Sequence, residues 1–154
     1  MKKEIPGVFL NDPEINEADI DGIDVLEEGD CSTLWQEYVS EKNRHFMLLA
    51  DDEWPSKIVG SGEPWYVWGD EWNRGEYNNF KSVLSTLYIN KESTLCIFWG
   101  KETGVKTNWR IFTNNWANFL YEDEGCILIV PDRKTAVILS NGRAWKGDRG
   151  SIQK

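Results

Sequence analysis

Two hydrophobic patterns divide the chain. Continuous apolar runs rich in β-formers occupy Thr94 to Trp99 (TLCIFW), Cys126 to Val130 and Thr135 to Leu139. Runs this short and this apolar predict buried strands. Helical spacing marks other stretches. Trp109, Phe112, Trp116, Phe119 and Leu120 recur at steps of 3, 4, 3 and 1, which predicts a helix capped by Thr107 with one aromatic core face. Leu34, Trp35, Tyr38 and Val39 predict a helix that opens on a Thr33–Gln36 capping box and ends near Asn43. Tyr77, Phe80, Leu84 and Leu87 predict another over 77–87, and Trp65, Trp68 and Trp72 a short one despite Gly69.

Turn chemistry supplies the connections. The PDRK segment joins the second and third strands, and Asn141-Gly142 signals a hairpin into Arg143-Ala144-Trp145. Val105 begins or ends a return partner for the first strand. Residues 4–10 fit a short edge strand, where Pro6 is tolerated. Pro55, Pro64, Gly60 and Gly62 break the middle of the chain into loops and short pieces. Glu122-Asp123-Glu124-Gly125 stops the aromatic helix before the strands resume. Without regular βαβ alternation, the expected class is α+β: one domain over 1–154, an antiparallel sheet with a C-terminal meander covered by helices. The aromatic stripe is then a pin holding helix to sheet rather than a ligand box.

A chain of 154 residues can bury roughly 68–70% of its extended surface, so no staple is needed. Its three cysteines, Cys31, Cys96 and Cys126, form no CxxC or Cys/His pair, and reduced thiols in a cytoplasm fit best. No secretory leader is read at the start, and the longest apolar run, Cys126 to Pro131, is far short of a membrane span. Nine tryptophans are unusual, and they can serve either as core or as partner contacts.

Charge is the least average feature. Of 26 acidic residues, nine lie in the stretch 11–30 (NDPEINEADIDGIDVLEEGD), which holds no base. The other 17 acids are matched by 17 Lys and Arg, so the whole net charge of −9 resides there. A solvated arm is one reading. A calcium loop is a poor second, because Gly22 in DIDGID is misplaced for an EF-hand. An acidic surface for a basic partner is the third. Ile15, Ile20, Ile23, Val25 and Leu26 favour a segment packed on the body. Direct nucleic-acid binding is disfavoured by repulsion from phosphate.

No catalytic signature emerges. The single histidine, His45, lies in an apolar run, and neither HExxH, GxxxxGK[ST] nor GxGxxG occurs. Gly60-Ser61-Gly62 lacks the setting of a nucleophile elbow. Adjacent carboxylates such as Asp51-Asp52-Glu53 read as solvated turns, although carboxylate hydrolases leave no local spacing to detect. The expectation is a non-enzyme with no cofactor and no metal.

The stretch 107–150 resembles the C-terminal part of a bacterial family of unknown function, with a tryptophan helix ending W-x-x-F-L, an acidic-acidic-Gly stop, a strand pair and an S-N-G turn. Trp116, Phe119-Leu120, Asp123-Glu124-Gly125 and Asn141-Gly142 carry it, and the Asp-Glu-Trp-Pro at 52–55 fits the same pattern. More loosely, the chain is similar to immunity proteins of bacterial polymorphic toxin and contact-dependent inhibition systems. That likeness implies a cytoplasmic inhibitor binding a cognate, basic toxin domain, often a nuclease. Under it, Asp19, Asp21, Asp24, Glu27 and Glu28 would steer the partner, and whichever of Trp65, Trp68 and Trp72 are exposed would anchor it. The alternative is a small ligand-binding or enzymatic domain with a pocket lined by Trp65, Tyr66, Trp68 and Trp72.

Overall fold

A computed structural model describes residues 22–39, 54–60, 64–87, 89–100, 103–119, 126–131, 133–140 and 142–148. Seven strands form one sheet: β1 (Asp24–Val25), β2 (Tyr66–Val67), β3 (Thr94–Gly100), β4 (Thr103–Asn108), β5 (Cys126–Ile129), β6 (Thr135–Ser140) and β7 (Arg143–Asp148). Their order is β1-β4-β3-β5-β6-β7-β2, and every neighbouring pair is antiparallel. The helices are α1 (Glu28–Tyr38), α2 (Trp54–Gly60), α3 (Gly69–Arg74), α4 (Asn78–Ser85), α5 (Trp109–Asn114) and α6 (Trp116–Phe119). The class is α+β, as the mixed patterns predict.

The sheet is covered on both faces, which explains its continuous apolar runs. Successive side chains on a strand point to opposite sides. Leu95 and Ile97 of β3, Cys126 and Leu128 of β5, and Val137 and Leu139 of β6 enter one core with Phe80, Leu84, Phe112, Trp116 and Phe119. Cys96, Phe98, Ile127, Ile129, Ala136 and Ile138 enter the other with Cys31, Trp35, Trp54 and Ile58. Thus α4, α5 and α6 cover one face, and α1 and α2 the other. Because β4 and β5 both lie antiparallel to β3, they are parallel to each other, and α5 and α6 form the crossover between them.

The aromatic stripe is a core face, with Trp109, Phe112, Trp116 and Phe119 all buried. It is not one helix. Asn108, not Thr107, supplies the cap, its Oδ1 accepting from Ile111 N at 2.8 Å. Asn115 then interrupts the run: its Nδ2 and its own N–H both donate to Ile111 O, at 3.0 and 3.1 Å. Such side-chain competition for a helical carbonyl ends helices. Thr107 instead sits buried in β4, and Leu120 lies outside the described residues.

α1 begins five residues before the expected cap. Thr33 is inside the helix, its hydroxyl donating to Gly29 O at 2.9 Å. Glu28 and Asp30 occupy the first turn, where negative charge complements the helix dipole. Pro55 does not break a helix but opens one, as the second residue of α2, where its missing N–H costs nothing. Trp65, Trp68 and Trp72 do not share a helix: Trp65 precedes β2, Trp68 caps α3, and only Trp72 is helical. α4 is shorter than 77–87 at both ends. Val105 is central in β4, not terminal. The meander β5-β6-β7 stands as read, with Gly142 at φ 77° in its last turn. The reading of 4–10 as an edge strand, and those of His45 and of 122–125, fall outside the described residues.

Candidate functional site

Two surfaces hold the residues that sequence pointed to, and they lie at opposite edges of the sheet. β1 ends one side and β2 the other, with five strands between them. At strand spacings near 4.8 Å, six steps place the two edges roughly 29 Å apart. That approaches the full width of a standard interface of ~800 Å² per partner.

The acidic edge is built on β1 and the start of α1. Ile23 is buried, and Val25 and Leu26 pack against the two cores. Asp24 pairs in register with Lys106, and Leu26 N donates to Gly104 O at 3.0 Å. Asp24, Glu27, Glu28 and Asp30 are exposed. This part of the acidic stretch is therefore seated on the body, as its interspersed apolar residues suggested. Asp19 and Asp21 lie outside the described residues.

The tryptophan edge is built on 64–77. The last hairpin turn positions it: Gly142 O accepts from Trp68 N at 2.8 Å and Gly69 N at 3.0 Å. Gly69 and Gly142 meet so closely that a Cβ on Gly69 would stand 3.1 Å from Gly142 Cα. α3 ends in a Schellman motif on Gly75, φ 71°, with Glu76 N donating to Glu71 O at 2.9 Å. Trp68 is a core residue, its indole donating to Arg143 O at 2.9 Å and meeting Trp116 edge-on. Trp65 is half-buried, with Lys146 Nζ 4.8 Å from its ring centroid. Of the three tryptophans, only Trp72 presents an exposed side chain, 37% accessible.

Sequence reasoning missed the carboxylate at the centre of this edge. Glu71 is buried, and its Oε2 accepts a hydrogen bond from the Tyr66 hydroxyl. Tyr66 stacks on Phe80, ring centroids 5.2 Å apart. Burial, then the hydrogen bond and charge of Glu71, push the Tyr66 hydroxyl up to about 12. Beside Asp70, Glu71 looks like any solvated acidic pair. Its only textual hint is its place among aromatics in WYVWGDEW.

Among the described residues, no group of three or more His, Cys, Asp and Glu could hold a metal. No helix among them is long and apolar enough to cross a membrane. All three cysteines are buried and unbridged, and burial raises the Cys126 thiol above its ordinary range.

These features define a single α+β domain whose sheet is covered on both faces and whose ends carry an acidic edge and an aromatic edge. The chain belongs to the DUF2947 family, proteins of unknown function, whose model matches residues 8–147. The match reaches well beyond 107–150 and takes in both edges. No curated protein matches the chain, and no solved structure does.

Proposed function

We propose that this chain is a cytoplasmic binding protein that neutralises a cognate toxin domain by stoichiometric association, without catalysis of its own. The observation that carries this reading is the concentration of the entire net charge in 11–30, the described end of which displays its carboxylates on a packed strand and helix start. A surface of that sign suits a basic partner, such as a nuclease whose groove otherwise holds phosphates. Complementary charge raises encounter rates toward ~10⁸–10⁹ M⁻¹s⁻¹ at low salt. Trp72 would then anchor a different part of the contact, because the acidic and aromatic edges are separated by the width of the sheet.

The alternative, a small-ligand or enzymatic pocket lined by Trp65, Tyr66, Trp68 and Trp72, has weaker support. Trp68 and Tyr66 are engaged in the core, by the Arg143 carbonyl and Phe80 respectively.

The test begins with a tagged pull-down from the native strain at low and high salt. A captured basic domain is then expressed alone and with this chain. Relief of its toxicity at near-equal amounts is the expected result, with a lower on-rate when Asp19, Asp21 and Asp24 become Asn. A domain that stays toxic in the presence of excess chain would sink the proposal. An unchanged on-rate would remove the acidic stretch from it.

A further inference from the structure

We draw no further inference here: the strongest candidate, the exposed side chains of Trp72 and Tyr77 at the aromatic edge of the sheet, carries none because nothing in the structure shows what covers them.

Discussion

The indole of Trp116 donates to the backbone carbonyl of Tyr77 at 2.9 Å across 39 residues of sequence. The same ring meets Tyr77, Phe80 and Trp68 edge-on, so one side chain joins α6, the start of α4 and the start of α3. Trp116→Ala should destabilise the fold by about 3–5 kcal/mol, as expected for a large buried aromatic. Trp116→Phe should cost less: it keeps part of the ring packing, while the lost hydrogen bond is worth about 0.5–1.5 kcal/mol. The check is a urea melt, in which the midpoint falls and the slope is unchanged.

α2 lies against β7 at a position where only a hydrogen fits. A Cβ on Gly147 would stand 2.6 Å from Ile58 Cγ1 and 2.7 Å from Cδ1. Ile58 is buried and stiff about χ1, so Gly147→Ala should cost about 1–3 kcal/mol through overpacking. Adding Ile58→Val should return part of that loss. A double-mutant cycle with a coupling energy near zero would show that α2 simply moves away.

Tyr66 gives a pH signature. Its hydroxyl is raised to about 12 in the folded chain from an ordinary value of 10.0. The neutral form is therefore favoured by folding. The associated stability is full below the unfolded value and is lost as pH rises through the folded one. Tyrosinate absorbance of the native chain should show a late-ionising tyrosine in the window between these values, absent from Tyr66→Phe. If Glu71 is replaced by Gln, that step should move to lower pH, because part of the shift comes from the hydrogen bond and charge of Glu71.

The cysteines predict a simple chemical result. Cys31, Cys96 and Cys126 are buried and unbridged, and thiolate formation at Cys126 is opposed by burial. A thiol reagent should label none of them in the native chain within minutes and all three in denaturant. Fast labelling of any one under native conditions would mean that its face of the sheet opens locally.

Sequence was most informative where burial leaves a repeating mark. The runs in β3, β5 and β6, and the stripe through Trp109, Phe112, Trp116 and Phe119, were readable because each records a long apolar contact. Helix ends were less so. Thr33 and Thr107 have the right chemistry for caps, but Glu28 and Asp30 already furnish the start of α1, and Asn108 reaches Ile111 N one residue later than expected. Burial of the strands is legible because a doubly covered strand has no polar alternation; which helices cover which face is not, since that depends on contacts such as Trp35 and Trp54 on one side and Phe80 and Phe112 on the other. Glu71 was missed for a different reason. A carboxylate reveals its burial only through Tyr66, Phe80 and the turn at Gly142, which a linear reading does not bring together. The aromatic edge was half legible: Trp65, Trp68 and Trp72 were noticed, but helical spacing could not say that Trp68 faces inward and Trp72 outward.

The double burial of the sheet has a consequence for how the chain finds its strand pairing. In a half-exposed sheet, sliding one strand by a residue throws its oily side chains into water, and that error is heavily penalised. Here a slip of β5 or β6 would exchange one apolar face for another, since Cys126 to Ile129 and Ala136 to Leu139 are buried throughout. Polarity cannot choose between those alignments, so shape must. Gly147 beneath Ile58, and Gly142 against Gly69, each sit correctly in a single alignment. These glycines act as alignment keys, and a chain that lost them would be expected to retain its hydrophobicity while losing the uniqueness of its fold.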